Sequence, residues 1–459
     1  MKNLKMLPLA AVVATSLVGC GSDSSSDGGG GYTPENITLE FIQLESPTNN
    51  EQVNCTAFDV NESDDGTTKY TYANVATDVT ILIHGDNGEV IEVKAPDSSG
   101  KLVIDKKSLE DDSFISILDY PGSNNPYYKA LSIQKELLIS QLIKVGRPQG
   151  VNSACYSKNE MRGTQSGTVL SITGSEVSIN GFQYLSTFGN DGITTANQVN
   201  ITAFNDEAVL VKGFNNKEFN SYSFAEKLTE NERTDAELEP LDSVLNWSNQ
   251  LPLYDQLNLL QINIAKGNYI YDWAQPDVET EENFSITSAE DTWFYHAEVE
   301  LESEWTLALN DKFETTLDIM QPDSLTIGDG FPEIQSIGNS AAVDMTMIYS
   351  TNRLIARNKY TQSYANNTET LQHVIISENS DGLVLIPNLD LENLSAMSPD
   401  SLETTLFEVD GEVSASSVQY LLSAYEEEDV VSAVVAPSQW ADFNYQTNTA
   451  KYSKLFFSN

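Results

Sequence analysis

Residues 79–93, VTILIHGDNGEVIEV, carry the clearest structural signal in the chain. The run from Val79 to Ile83 is rich in β-branched residues, which favour strands. Asn87-Gly88 is a strong signal for a tight hairpin turn, and Glu89 to Val93 resumes a strand pattern. The segment therefore predicts an antiparallel hairpin.

Strand and turn patterns extend on both sides of this hairpin. Residues Ile37–Leu44 alternate between apolar and polar side chains, as in a half-buried strand. Asp97–Gly100 predicts a second turn, which is followed by a strand over Lys101–Ile104 and another over Phe114–Leu118. Short strands at this spacing indicate a β-sandwich.

The order of these elements also resembles a known kind of domain. A strand, the DNGEV hairpin, a second strand, the DSSGKLVI segment and a closing strand are similar to the transthyretin-like, carboxypeptidase-regulatory type of small sandwich. The likeness covers about residues 72–120 and consists mostly of turn residues. It implies a fold and assigns no functional residue.

The rest of the chain is patterned mainly as strands. Two segments are exceptions: Tyr127–Val145 predicts a helix, with a pair of strands as the alternative, and Leu228–Asp242 predicts a linker or an exposed helix. Trp293–Trp305 alternates as a half-buried strand with one acidic face. We expect a mainly β protein of two to four β-sandwich modules, Ig-like or transthyretin-like, in series behind a disordered lipoprotein tether.

The first twenty residues indicate export. Lys2 and Lys5 precede an apolar run over Met6–Val18, which is the order of a secretory signal. Leu17-Val18-Gly19-Cys20 resembles the lipobox of bacterial lipoproteins. The resemblance implies cleavage before Cys20, a diacylglycerol on its sulfur and an acyl group on the new amino terminus. The residue after Cys20 is not Asp, which by the same resemblance favours the outer membrane of the cell envelope, facing the periplasm or the cell surface.

The expected organisation follows from these signals. Residues 21–31 are all Gly, Ser or Asp, and such tracts behave as flexible coil. We predict a signal peptide at 1–19, lipidated Cys20 with its tether at 20–31, a β-sandwich domain at 32–125, a connector at 126–165, a second β domain at 166–275, and one or more C-terminal β-rich domains at 276–459.

The charge balance limits the partners of the folded body. The sequence has 24 Lys and Arg against 68 Asp and Glu, a formal net charge of −44. Such a field repels nucleic acid and anionic lipid headgroups, so we exclude both as partners of the body. The acidic residues are dispersed along the chain, which is typical of a solvated acidic surface.

Two cysteines remain after Cys20, namely Cys55 and Cys155. Cysteines in an oxidising envelope compartment usually form disulfides, so we predict that these two pair. The enclosed loop of about 100 residues would contribute about 4–5 kcal/mol in the chain-entropy model. The alternative of a metal or redox pair lacks the close C-x-x-C spacing.

The sequence lacks a clear catalytic signature. A nucleophile elbow, Gly-x-Ser-x-Gly, does not occur, and the nearest segment, Gly338–Ala342, ends in Ala. His84, His296 and His373 are far apart, without the spacing of metal ligands. We therefore expect that the protein is not an enzyme and has no metal site built from these histidines.

One loop has some features of a calcium site. Oxygen-bearing side chains occupy alternate positions before Gly66, namely Asp59, Asn61, Ser63 and Asp65. An EF-hand loop also needs a Glu six residues after the Gly, where this chain has Tyr72. We predict no cofactor, with Ca²⁺ as the alternative left open.

These observations favour a non-enzymatic envelope lipoprotein with a structural or interaction role. Its expected partners are the outer membrane through the lipid, and other envelope proteins or a surface glycan. The overall plan is similar to that of the flagellar sheath lipoproteins of marine vibrios. One alternative is a glycan-binding lipoprotein with exposed aromatic side chains, drawn from Tyr127, Tyr128, Tyr269, Tyr271, Trp273, Trp293 and Tyr295. Another is an envelope enzyme with paired carboxylates, such as a glycosidase.

Lipid attachment can be tested directly. Acylation needs the Cys20 thiol, so a Cys20→Ser variant should move from the membrane fraction to the soluble fraction of the periplasm or medium. Fractionation of cells that express each protein measures this shift. A variant that stays in the membrane fraction would contradict the lipobox assignment.

Overall fold

In a computed structural model of the chain, the structure describes residues 34–45, 57–62, 68–119, 127–146, 154–156, 164–173, 178–229, 232–253, 255–279, 283–287, 292–314, 316–338, 340–364, 369–391, 399–409, 418, 432–434 and 439–458. Residues Glu35–Asn459 form one compact unit.

Strands dominate these residues, so the prediction of a mainly β protein is confirmed. The strands are β1 (Asn36–Glu45), β2 (Ala57–Glu62), β3 (Thr68–Val75), β4 (Thr80–His84), β5 (Val90–Lys94), β6 (Lys101–Asp105), β7 (Phe114–Asp119), β8 (Tyr127–Gln134), β9 (Gln141–Lys144), β10 (Thr164–Thr173), β11 (Gly181–Ser186), β12 (Gly189–Thr194), β13 (Gln198–Phe204), β14 (Val209–Asn215), β15 (Glu218–Ala225), β16 (Arg233–Pro240) and β17 (Ser243–Asn249). They continue with β18 (Gln256–Lys266), β19 (Tyr269–Ala274), β20 (Asn283–Ile286), β21 (Thr292–Glu300), β22 (Thr306–Phe313), β23 (Leu317–Ile319), β24 (Leu325–Ile327), β25 (Glu333–Ile337), β26 (Ser340–Asp344), β27 (Ile348–Ser350), β28 (Arg353–Tyr364), β29 (Glu369–Glu378), β30 (Leu383–Ile386), β31 (Ser401–Val409), β32 (Ser432–Val434) and β33 (Tyr452–Ser458).

Helices are short by comparison. The α-helix α1 spans Trp440–Thr449, and single 3₁₀ turns cover Lys106–Ser108 and Lys135–Leu137. Within the described ranges, no helix has the length and apolar character needed to cross a membrane.

A twelve-stranded sheet forms the centre of the fold, in the order β19-β18-β21-β22-β33-β31-β28-β29-β8-β7-β4-β5. Most neighbours are antiparallel, but β8 and β29 run parallel, with Ser132 opposite Ile375. This pairing hydrogen-bonds a segment near residue 130 to one near residue 373. The sheet therefore contains strands from each of the four segments predicted after the tether, namely 32–125, 126–165, 166–275 and 276–459. The boundaries between these segments stay predictions.

Further sheets complete the described architecture. A six-stranded sheet has β1 at its centre, paired with β3, β6 and β9, with β2 beyond β3 and β32 beyond β9. A seven-stranded sheet has the order β12-β11-β14-β15-β16-β10-β13. Three smaller sheets are formed by β20-β17-β23, β24-β27 and β25-β26-β30.

The central sheet is buried on both faces along β4, β7, β8, β29, β28 and β31. Ile81 and Ile117 lie on one face and share a core with Leu39 and Phe41 of the six-stranded sheet. Side chains in a strand alternate between faces, so their neighbours point the other way. That second face belongs to a larger core, which includes these residues: Leu82, Ala130, Ile375, Leu406, Val343 and Ile386.

The hairpin predicted from residues 79–93 is present as β4 and β5. The turn that joins them contains Gly88 at φ 78°, a left-handed conformation that glycine adopts without strain. The Gly88 carbonyl accepts a hydrogen bond from the Asn388 N–H at 2.9 Å, which links the turn to the residues after β30. The turn at Asp97–Gly100 is also present, with Gly100 at φ 73°.

The helix predicted over Tyr127–Val145 is wrong, and the alternative of two strands is correct. β8 and β9 occupy this segment, joined through the 3₁₀ turn at Lys135–Leu137. Because β8 is buried on both faces from Ala130 to Ile133, its apolar residues do not alternate with exposed ones, and some fall at helical spacing by coincidence.

The linker or helix predicted over Leu228–Asp242 is also wrong. β16 covers Arg233–Pro240 and pairs in parallel with β10. Only Ala236 and Leu238 are buried in this strand, so its apolar pattern is too short to reveal a strand from sequence.

Cys155 lies beside β3, where it forms an isolated bridge with Asn74. It is half-buried and disulfide-bonded. Cys55, its predicted partner, lies outside the described residues, so the Cys55–Cys155 pairing stays a prediction.

Peptide mapping can test this pairing. Digestion of the protein without reducing agent should release a joined peptide pair containing Cys55 and Cys155, because no other pairing is expected once Cys20 carries lipid. Mass spectrometry before and after reduction identifies the pair. Two free thiols in the native protein would contradict the prediction.

Candidate functional site

The strongest concentration of chemically active side chains in the described residues is buried in the central sheet. It begins at His84, the last residue of β4, whose side chain is fully buried. His84 Nδ1 lies 3.1 Å from the Gly88 carbonyl oxygen, and its Nε2 lies 2.7 Å from Ser116 Oγ on β7. The hairpin turn therefore determines how this imidazole is oriented.

A chain of hydrogen bonds continues from Ser116 across three further strands. Ser116 Oγ is 2.5 Å from Ser132 Oγ on β8, and Ser132 Oγ is 2.6 Å from His373 Nε2 on β29. His373 Nδ1 is 3.0 Å from the Tyr360 hydroxyl on β28. We call the five side chains the polar chain: His84, Ser116, Ser132, His373 and Tyr360.

Strand register places these residues on one face. Ser116 is opposite Ser132, and Tyr360 is opposite His373. His373 lies two residues from Ile375, which pairs with Ser132 across the parallel joint. Because side chains at i and i+2 share a face, the polar chain lies on the same face as Leu82 and Ile375.

When both imidazoles are neutral, the donor and the acceptor of each hydrogen bond in the polar chain can be assigned in only one way. The Gly88 carbonyl can only accept, so His84 Nδ1 carries the proton and its Nε2 accepts from Ser116. Ser132 then donates to Ser116, and His373 Nε2–H donates to Ser132. The Tyr360 hydroxyl donates to His373 Nδ1, so each hydrogen bond in the polar chain has one donor and one acceptor.

Burial keeps the imidazoles neutral. Loss of hydration lowers the pKa of His373 to about 3, with a smaller contribution from His84. Burial also lowers the pKa of His84, against opposing effects of the Gly88 carbonyl and Glu89. The neutral pattern of donors and acceptors is therefore the stable one near neutral pH.

Serine next to histidine is the arrangement of an activated nucleophile and its base. In this protein, however, Ser116, Ser132 and both histidines each have 0% exposed surface. A substrate has no route to either serine in this conformation. The polar chain instead joins five strands through hydrogen bonds in a low-dielectric core.

The structure separates the three histidines that the sequence singles out. His84 and His373 belong to the polar chain, which sequence spacing could not show because Ser132 and His373 are 241 positions apart. His296 lies on β21, 3.4 Å from Glu298. Among the described residues, no group of three or more His, Cys, Asp or Glu side chains is placed to hold a metal ion.

Other sequence candidates have different outcomes. Ser340, in the segment that most resembles a nucleophile elbow, lies on β26 and donates to the Asn87 carbonyl at 3.3 Å. Cys20, Ser63 and Asp65 lie outside the described residues, as do the side chains of Asp59 and Asn61, so the lipidation and Ca²⁺ predictions stay open.

Most aromatic residues considered for sugar stacking are part of the core. Four are at most 4% exposed: Tyr269, Tyr271, Trp273 and Trp293. Trp273 makes edge contacts with Phe219, Tyr222 and Trp293. Tyr128 and Tyr295 are half-buried, and the Tyr127 side chain lies outside the described residues. The buried tryptophans form no exposed stacking platform.

A pair of serine variants tests the polar chain. Ser132→Ala removes the acceptor of the His373 N–H, and leaving a buried donor unsatisfied costs about 1–3 kcal/mol. Ser377→Ala is the matched control, because the Ser377 hydroxyl is buried on the same strand as His373 and has no hydrogen-bond partner among the residues that the structure describes. Urea unfolding should show the loss for Ser132→Ala and little change for the control. Equal effects would contradict the proposed network.

The buried histidines also predict a dependence of stability on pH. The unfolded chain binds a proton at His373 below pH about 6.5, while the folded chain does not until pH about 3. Stability should therefore fall as the pH drops through this window, by up to about 1.4 kcal/mol per pH unit from His373. A His373→Gln variant removes this contribution, so its unfolding free energy should depend less steeply on pH. Parallel profiles for the two proteins would contradict the assignment.

Comparisons with known proteins add little to this geometry. No protein-family model matches the chain, and no curated protein matches it. Among solved structures, a streptococcal ancillary pilin is similar at 6% identity and a TM-score of 0.13, over 63% of this chain and 100% of that chain. The Bacillus anthracis TIE protein is similar at 10% identity and a TM-score of 0.13, over 86% of this chain and 72% of that chain. Scores this low carry no argument about fold or function.

Proposed function

We propose that this protein is a non-enzymatic lipoprotein of the outer membrane with a structural or interaction role in the cell envelope. The observation that carries the proposal is the complete burial of the polar chain. The Ser–His contacts in the described part of the chain are used to hold strands together, and they offer no surface to a substrate.

The charge of the chain supports the same role. A formal charge of −44 keeps the protein soluble and repels other acidic surfaces. Partners are therefore expected to present neutral or basic surfaces. Attachment through acylated Cys20, with the Gly/Ser-rich tether after it, would hold such a body close to the membrane. A component of a flagellar sheath is one specific form of this role.

Glycan binding is the alternative form of an interaction role. Burial of Trp273, Trp293 and Trp305 weighs against an aromatic stacking platform, since these side chains are at most 4% exposed. We therefore favour protein partners over a glycan.

Proximity cross-linking in cells and an activity screen test the proposal together. The wild-type protein should cross-link reproducibly to envelope proteins, and Cys20→Ser should lose those that require membrane attachment. The purified protein should turn over none of a panel of esters, peptides and glycosides. Turnover that a single carboxylate substitution abolishes would overturn the proposal, because a structural protein has no need of one decisive acid.

A further inference from the structure

A cavity of about 440 Å³ lies where the central sheet meets β23 and the residues that follow it. This volume is within the range of roughly 300–1,000 Å³ that is usual for small-ligand sites. Tyr295 of β21, Asp311 of β22, Glu408 of β31 and Tyr452 of β33 contribute from the central sheet. Residues of four strands thus form one side of the cavity.

The cavity has a buried floor and an exposed rim. Glu408 and Asn310 are 5% and 3% exposed, whereas Asp318, Met320 and Asp323 on the rim are all exposed. A ligand can therefore enter from solvent and reach side chains that water contacts little.

Charge is unbalanced inside this cavity. Its lining includes four carboxylates and one ammonium group, from these residues: Asp311, Asp318, Asp323, Glu408 and Lys451. The Lys451 ammonium group lies 3.1 Å from the Asp311 carboxylate and forms an ion pair with it. Carboxylates therefore exceed ammonium groups by three in the lining.

The buried floor leaves hydrogen-bond acceptors unused. Glu408 Oε1 accepts from the Ser350 hydroxyl and, at 3.4 Å, from Asn352 Nδ2. In the described part of the chain, Glu408 Oε2 accepts no hydrogen bond. Asn310 Nδ2 donates to the carbonyls of Asn448 and Ala450, and its Oδ1 is likewise without a donor there. Glu408 is only 5% exposed, so a ligand that donates to its Oε2 would replace the limited contact with water there.

The walls suit an organic cation better than a metal ion. The described carboxylates are not grouped to coordinate a metal. Tyr295, Met320 and Pro322 add aromatic and aliphatic surface, which can pack on an alkyl stem and attract a cation to the ring face. Burial, with Asp311 nearby, raises the pKa of Tyr295 to about 12, so its hydroxyl stays neutral.

We propose that this cavity binds the guanidinium group of an arginine side chain presented by a partner protein. Guanidinium carries only donors, in a planar fork that matches carboxylate oxygens, so it complements the unused acceptors Glu408 Oε2 and Asn310 Oδ1. The proposal rests on the interaction role proposed above and specifies the chemistry that the partner must offer.

Ligand-observed NMR with the purified full chain tests the proposal. The probe is the capped tripeptide Gly-Arg-Gly, and its matched control is Gly-citrulline-Gly, which has nearly the same shape without the charge. The arginine peptide should bind at least about tenfold more tightly, and added salt should weaken its binding. Equal binding of the two peptides would overturn the proposal.

Variants locate the binding. Glu408→Gln keeps an oxygen for Ser350 and should weaken arginine binding at least about fivefold. Glu403→Gln, on the same strand and paired with Lys359, makes the same change of charge away from the cavity lining and should bind as the wild type does. Should Glu408→Gln fail to fold, Asp323→Asn at the exposed rim should still weaken binding about twofold or more. Unchanged binding in the cavity variants would contradict the site.

Two further results separate this proposal from the proposed function. Binding of spermidine in place of the arginine peptide would show that a free polyamine is the ligand and overturn the arginine assignment. If the arginine peptide binds but the protein cross-links to no envelope partner in cells, the cavity assignment holds and the envelope role fails.

Discussion

Burial of the central sheet on both faces is the constraint on which the rest of this structure depends. A strand covered on both sides has no water to satisfy its polar side chains, and each unsatisfied buried group costs about 1–3 kcal/mol. Apolar residues meet this constraint at many positions of β4, β7, β8 and β29. Where the sequence places His84, Ser116, Ser132 and His373 instead, they satisfy one another.

The parallel joint between β8 and β29 shows how this constraint defines the topology. It brings together segments about 240 positions apart, and the bond between Ser132 and His373 crosses it. A register shift by one residue would turn every side chain of β29 to the opposite face. His373 would then enter the apolar core around Leu39 and Phe41 without a partner. We infer that the polar chain helps to specify the register of this joint.

The interior and the surface of the protein use polar groups in opposite ways. In the core, the side chains of the polar chain are buried and neutral, and each hydrogen bond between them has one donor and one acceptor. Over the whole sequence, 68 Asp and Glu residues exceed 24 Lys and Arg, and the lining of the cavity beside β23 has the same excess, with Glu408 at its floor. A body of this kind is suited to select basic partners, which agrees with an interaction role better than with catalysis by the buried serines.

Local chemistry explains what could be read from the amino-acid sequence. Asn87-Gly88 marked the turn between β4 and β5, and Asp97–Gly100 marked another, because turn conformation depends on a few adjacent residues. Alternation predicted β1 and β21, each of which has one face that is less buried. The same reasoning failed for β8, where burial on both faces removes the alternation, and for β16, where only two residues are buried.

The sequence by itself thus determined the fold class, the main turns and the acidic character of the surface, since these depend on neighbouring residues or on composition. Only the tertiary structure decided which strands share the central sheet, that His84 and His373 meet through two serines, and that Glu408 lies at the floor of an acidic cavity. These features join residues from distant parts of the chain. Their contacts depend on strand order and register, which no local pattern of residues specifies.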